Sequence, residues 1–195
     1  MILPVPMLLS ILIAMLRGGN LLALAEVRFK HSWLILTGLL VQVLIFSSWW
    51  ESIPACTAWT PHVYALSMAL LLLVVGLNHS VPGMAFLGMG LFLNTLTVWV
   101  NGGRMPASLW ALQTAGFLPA GDVAPFWQSN NSILMDENSR LRFLCDVFAL
   151  PKSWPLTNIF SIGDVLVSLG GVIFIQKIVV PSPSLHTPRP QNDPT

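Results

Sequence analysis

Two aspartates are the residues of this sequence best placed to do chemistry. Asp164 heads "FSIGDVLVSLGGVIFIQ", residues 160–176, an otherwise apolar stretch, and Asp146 lies 18 residues earlier in "RLRFLCDVFALP". Phe143, Leu144, Cys145, Val147 and Phe148 flank Asp146, an apolar setting that makes an ionised carboxylate costly. Two carboxylates brought close cannot both ionise easily. They share a proton, so that one activates water while the other protonates a leaving group, as in an aspartyl peptidase. The meeting requires the chain between them to turn back, and Pro151 and Pro155 in "ALPKSWPLTN" permit that turn. Each acid also has an architectural use. Ser161 and Asp164 stand in the S-x-x-D pattern of a capping box, where the helix dipole also favours a carboxylate, and Arg140 or Arg142 could pair with Asp146.

The elements that must position these acids are membrane helices. The 195 residues are 54% hydrophobic and only 9% charged, with a mean hydropathy of +0.73, whereas soluble domains carry about 25% charged residues. Hydropathy predicts an all-α, polytopic membrane bundle with spans at about 2–17, 33–49, 61–78, 83–100 and 160–180. Residues 1–180 then form one transmembrane domain, and the proline-rich 181–195 a disordered cytoplasmic tail. The first span lacks a preceding positive charge and is followed by Arg17, the reverse of a signal peptide. Arg17, Arg28 and Lys30 face a single acid, Glu26, in the first loop. The positive-inside rule puts that loop in the cytoplasm, the N-terminus outside and the C-terminus inside. Leu21, Leu22 and Leu24 in the same loop fit either an interfacial segment or a solvated connection.

Residues 101–159 then form one long extracytoplasmic connection that holds four charges of each sign, nearly half of all the charge in the chain. Most of the eight tryptophans fall near span ends, where the ring suits the headgroup region; stacking on a ligand is the alternative for any one of them. Cys56 and Cys145 share the outer side, so a disulfide is permitted by compartment. In "NGGRMP", residues 101–106, the glycines supply a turn with positive φ, and Arg104 can snorkel, neutralise an outer acid or bind an anionic group. Gln42, Asn94, Thr95 and Thr97 are suited to hydrogen bonds between helices, and Gly83, Gly88, Gly90, Gly170 and Gly171 to close helix contact. His79 reads as exposed at a cytoplasmic turn. A net charge of +1 and the lack of phosphate-loop or Cys/His signatures give no reason to expect nucleic acid, metal or cofactor. The expected partners are the lipid bilayer and other membrane proteins.

"NSRLRFLCDVF" followed by "FSIGDVLVSLG" resembles the end of signal peptidase II, the bacterial lipoprotein signal peptidase. That family pairs an Asn and Arg upstream of a V-D-F aspartate with an F-N-x-A-D aspartate opening its last membrane helix. The resemblance implies a catalytic pair, Asp146 and Asp164, with Asn138 and Arg140 in support. Ser161 and Gly163 stand where that family has Asn and Ala, and it has four spans. Over nearly its full length, including "RGG", "NGGRMP" and "FSIGDVL", the chain resembles a family of bacterial membrane proteins catalogued only as a domain of unknown function. That likeness implies a five-span fold and no activity. Two readings stand: a cell-membrane protein with a scaffolding or assembly role and an acidic site at its outer surface, or a membrane-embedded aspartyl peptidase.

Overall fold

The computed structural model of the chain describes residues 4–119, 127–129, 131–154 and 156–180. The tail at 181–195, Pro155 and Asp122 lie outside these described residues. The fold is mostly helical: α1 (Pro4–Leu16), α2 (Ala23–Glu26), α3 (Ser32–Ile45), α4 (Ser48–Glu51), α5 (Pro54–Thr57), α6 (Thr60–Leu77), α7 (Met84–Val100), α8 (Leu109–Thr114) and α9 (Ile162–Val179). Among the described residues four short strands lie between α7 and α9, β1 (Met105–Ala107), β2 (Ser132–Leu134), β3 (Phe148–Ala149) and β4 (Ile159–Phe160). The all-α expectation therefore holds for the bundle but not for the connection.

Among the described residues two helices, α6 and α9, are long and apolar enough to cross a membrane, each 18 residues with a mean hydropathy of 1.8. The other apolar helices, α1, α3 and α7, have 13, 14 and 17 residues. At about 1.5 Å per residue α3 reaches roughly 21 Å, short of a hydrocarbon core of about 30 Å. Its predicted extension to Trp49 is cut off at Ile45, because the Ser47 hydroxyl accepts from the Trp50 amide and caps a new turn, α4.

The long helices pack in a series, α3 on α6, α6 on α7, α7 on α9 and α9 on α1. Gln42 Nε2 donates to Ser67 Oγ at 3.3 Å across the first of these contacts. The closest approach is between the antiparallel α7 and α9. Gly83 lies against Gly170, and Gly90 against Gly163, so that two pairs of glycines spaced seven residues apart meet backbone to backbone. A Cβ at Gly90 would sit 2.7 Å from the Val167 amide nitrogen. Gly88 instead faces Val75 on α6, and Gly171 faces Met7 on α1. At the opposite end from the strands, Gln176 Nε2 donates to the Ser10 carbonyl at 2.7 Å and its Oε1 accepts from Arg17 at 2.8 Å. The first loop folds back onto this end, with Leu24 packed beside Ile175 and Val179.

Above the bundle the connection forms a small cap. Ala107, Ala111, Leu112, Ala115, Leu118 and Ile159 make its core, and α8 starts at Ser108, whose hydroxyl accepts from the Ala111 amide. Replacing Gly90 by Ala is expected to push α7 off α9 and to destabilise the protein by about 1–3 kcal/mol, whereas Gly76→Ala, which meets open space, should be near neutral. Thermal unfolding of the two variants in detergent measures the difference.

Candidate functional site

Asp164 is held before it can do anything else. It begins α9 in a complete capping box: the Ser161 hydroxyl accepts from the Asp164 amide at 3.1 Å, and the carboxylate accepts from the Ser161 amide at 3.3 Å. Asn94, from α7, closes the arrangement by donating to Asp164 Oδ1 at 3.0 Å and accepting from Ser161 Oγ at 2.8 Å. Both carboxylate oxygens thus have donors. Asn94 fits only because Gly163 has no side chain, since a Cβ there would collide with the Asn94 amide oxygen.

Asp146 is placed by strand pairing. Its amide donates to the Pro106 carbonyl and its carbonyl accepts from the Ser108 amide, each at 3.0 Å, forming a parallel bridge to Ala107. The other edge of β1 pairs in parallel with β2. "NGGRMP" therefore becomes the central strand under the acid as well as a turn. Gly103, at φ +92°, packs directly on Pro61, a conformation suited to glycine. The antiparallel pairing of β3 with β4 and the stacked rings of Phe148 and Phe160, 5.5 Å apart, supply the predicted turn back between the two acids.

The Asp146 side chain is 7% exposed, and its Oδ1 has no hydrogen-bond partner. Burial, with the nearby Asp164 charge adding to it, pushes its pKa up from the ordinary 3.8 to about 7. The two acids are close enough to feel each other, and Tyr64 on α6 lies in the field of both. Beside them, burial raises the Cys145 thiol to about 11, and Cys145 and Cys56 are both free. Asp146 lines a cleft of about 160 Å³, together with Phe117, Trp127, Ser129, Ser132 and Asn158 among others.

The expected supporting residues do not gather around the acids. Arg140 contributes its backbone, which Asn101 clamps by accepting from the Arg140 amide at 2.8 Å and donating to its carbonyl at 2.9 Å; the Arg140 side chain is exposed. Asn138 is exposed, and its amide donates to Asp136. Arg142 turns its Nε to Met135 Sδ at 3.4 Å. Arg104 is half-buried beside β1, and among the described residues neither acid is in an ion pair. Asn94, expected at a helix contact, has Asp164 and Ser161 as its partners, and Tyr64 and Ser132 carry no motif that marks them for the site. Tyr64 had a signal, being the sole tyrosine of the chain, in the first turns of an apolar helix.

Residues 26–176 match a family described as "Family of unknown function (DUF5317)", a stretch that includes both acids, Asn94 and Tyr64. The chain belongs to that family. An uncharacterized protein of Thermotoga maritima is 25% identical over 167 residues, 86% of each chain. No solved structure matches. Membership in the DUF5317 family agrees, over residues 26–176, with the expected likeness to a family of unknown function, and the comparisons give the signal peptidase II likeness no support.

Replacing Asp164 in this DUF5317 chain by Asn should cost about 1 kcal/mol of stability, since a single amide oxygen replaces two acceptors. Asp164→Leu, which also strands the Asn94 amide, should cost about 2–4 kcal/mol. Equal losses in denaturant titrations would contradict the hydrogen-bond assignment.

Proposed function

We propose that this chain is a multi-pass integral membrane protein of five spans, N-terminus outside and C-terminus cytoplasmic, whose outer cap carries a ligand-binding cleft built on Asp146. Support for the membrane setting comes from helix faces turned away from the bundle. Leu36, Leu40 and Val43 of α3 are each exposed by 65% or more, a contiguous apolar stripe that water would penalise and lipid would not. The shorter spans are accommodated by local thinning of the bilayer and by their capped ends. Arg17, Arg28, Lys30 and Lys177 face a single acid, Glu26, at one end of the bundle, whereas the cap at the other end carries both signs equally.

A single observation carries the functional reading: Asp146 lines the wall of a cleft while one of its carboxyl oxygens is buried without a hydrogen-bond partner. A scaffold gains nothing from such a group, which costs free energy unless something binds it. The peptidase reading draws support from the proximity of the acids, because the Asp164 charge helps to hold Asp146 near neutrality. Against it stands the occupation of both Asp164 oxygens by Asn94 and Ser161, which leaves no lone catalytic partner facing a water.

Because the folded protein binds a proton at Asp146 that the unfolded chain releases, stability should fall as pH rises from about 4 to about 7. Asp146→Asn removes this slope. It should be more stable than the wild type at pH 8, by up to about 4 kcal/mol, and similar to it at pH 4. A loss of stability in the variant at pH 8 would make Asp146 structural and sink the binding reading. Topology is tested by labelling introduced cysteines in a Cys56→Ser, Cys145→Ser background: Asn138→Cys should react with an impermeant maleimide on intact cells, and Arg28→Cys only after permeabilisation. Neither acid variant should alter cleavage of a reporter with a membrane-proximal site; loss of cleavage in both would restore the peptidase.

A further inference from the structure

Resting on that reading of the cleft, we infer that its ligand is a small organic ammonium ion, bound by Asp146 and covered by the aromatic faces of Trp127 and Phe117. Asp146 lines the cleft, Asp164 is near enough for its charge to act on Asp146, and among the described residues no Lys, Arg or His is paired with either acid. An anion would meet uncompensated repulsion there. A neutral polar molecule would leave the buried Asp146 carboxylate without a countercharge, the costlier state at neutral pH.

A bare metal ion suits the cleft poorly, because no group of three His, Cys, Asp or Glu side chains is found among the described residues. The rest of the wall has the two features an alkyl- or arylammonium needs. Ser129 and Ser132 line it with hydroxyl oxygens that can accept from an N–H₃⁺ group bound to the Asp146 carboxylate, and the aromatic side chains of Trp127 and Phe117 line it beside them, where they can cover the cation and its apolar body. The volume of about 160 Å³ limits the occupant to a small molecule.

Asp146 accepts the ammonium only when ionised, so affinity should rise with pH. The titratable groups around it are Asp164 from α9, Tyr64 from α6 and the adjacent Cys145. Asp164 and burial oppose ionisation, and the Cys145 thiol stays neutral, so the pH response near 7 belongs to Asp146.

The test is calorimetric titration of the full chain in nanodiscs with benzylammonium, benzyl alcohol and benzoate, at pH 6 and pH 8. Benzylammonium should bind at pH 8 and about tenfold more weakly at pH 6. Asp146→Asn should lose at least tenfold at pH 8, and Trp127→Leu should weaken binding while keeping the pH response. Absence of benzylammonium binding overturns the ammonium assignment, as does equal binding by Asp146→Asn. Tighter, Asp146-dependent binding of benzyl alcohol or benzoate also overturns it, yet leaves the cleft reading standing. That reading fails separately, if Asp146→Asn proves less stable than the wild type at pH 8.

Discussion

The close approach of α7 and α9 is the constraint on which the rest depends. Two helices that approach this closely associate by packing and by hydrogen bonds, and small residues allow both. Gly83 and Gly90 meeting Gly170 and Gly163 bring the two backbones into contact. That contact lets Asn94 reach across the interface to Ser161 and Asp164. Any larger residue at 163 would occupy the space that the Asn94 amide fills. The position of Asp164, and with it the electrostatic setting of Asp146, follows from the absence of one methyl group.

The cap repeats the theme of backbone fixing chemistry. β1 is bonded along both edges, to β2 and to the Asp146 segment, and Asn101 ties the end of α7 to the Arg140 backbone. Asp146 is thereby immobilised at its main chain while its carboxyl is given no fixed partner. The two acids are treated in opposite ways by one fold: Asp164 receives donors at both oxygens, and Asp146 receives burial and a neighbouring negative charge. A satisfied carboxylate is a strut, whereas a buried and unsatisfied one is a place where something else can bind.

Much was legible in the sequence. The low charge content and apolar runs named the helices, because the period and length of hydrophobic segments are local properties of the chain. The S-x-x-D pattern at Ser161 and Asp164 named the cap, since its bonds join residues three apart. Even the turn back between the acids was readable from Pro151 and its surroundings. The supporting roles expected for Arg140 and Asn138 had no such local basis. They were carried by a likeness in residue order, and the side chains of both are exposed.

By itself, then, the sequence determined which segments are helical and apolar, where charge accumulates, and which two acids stand apart from it. The tertiary structure alone decided that Asn94 is the partner of Asp164, that "NGGRMP" becomes the strand beneath Asp146, and that Trp127 and Phe117 share a cleft with that acid. These outcomes depend on contacts between residues tens of positions apart. Such contacts are set by how closely two helices can approach and which strand edges remain to be paired, quantities that exist only once the elements have packed.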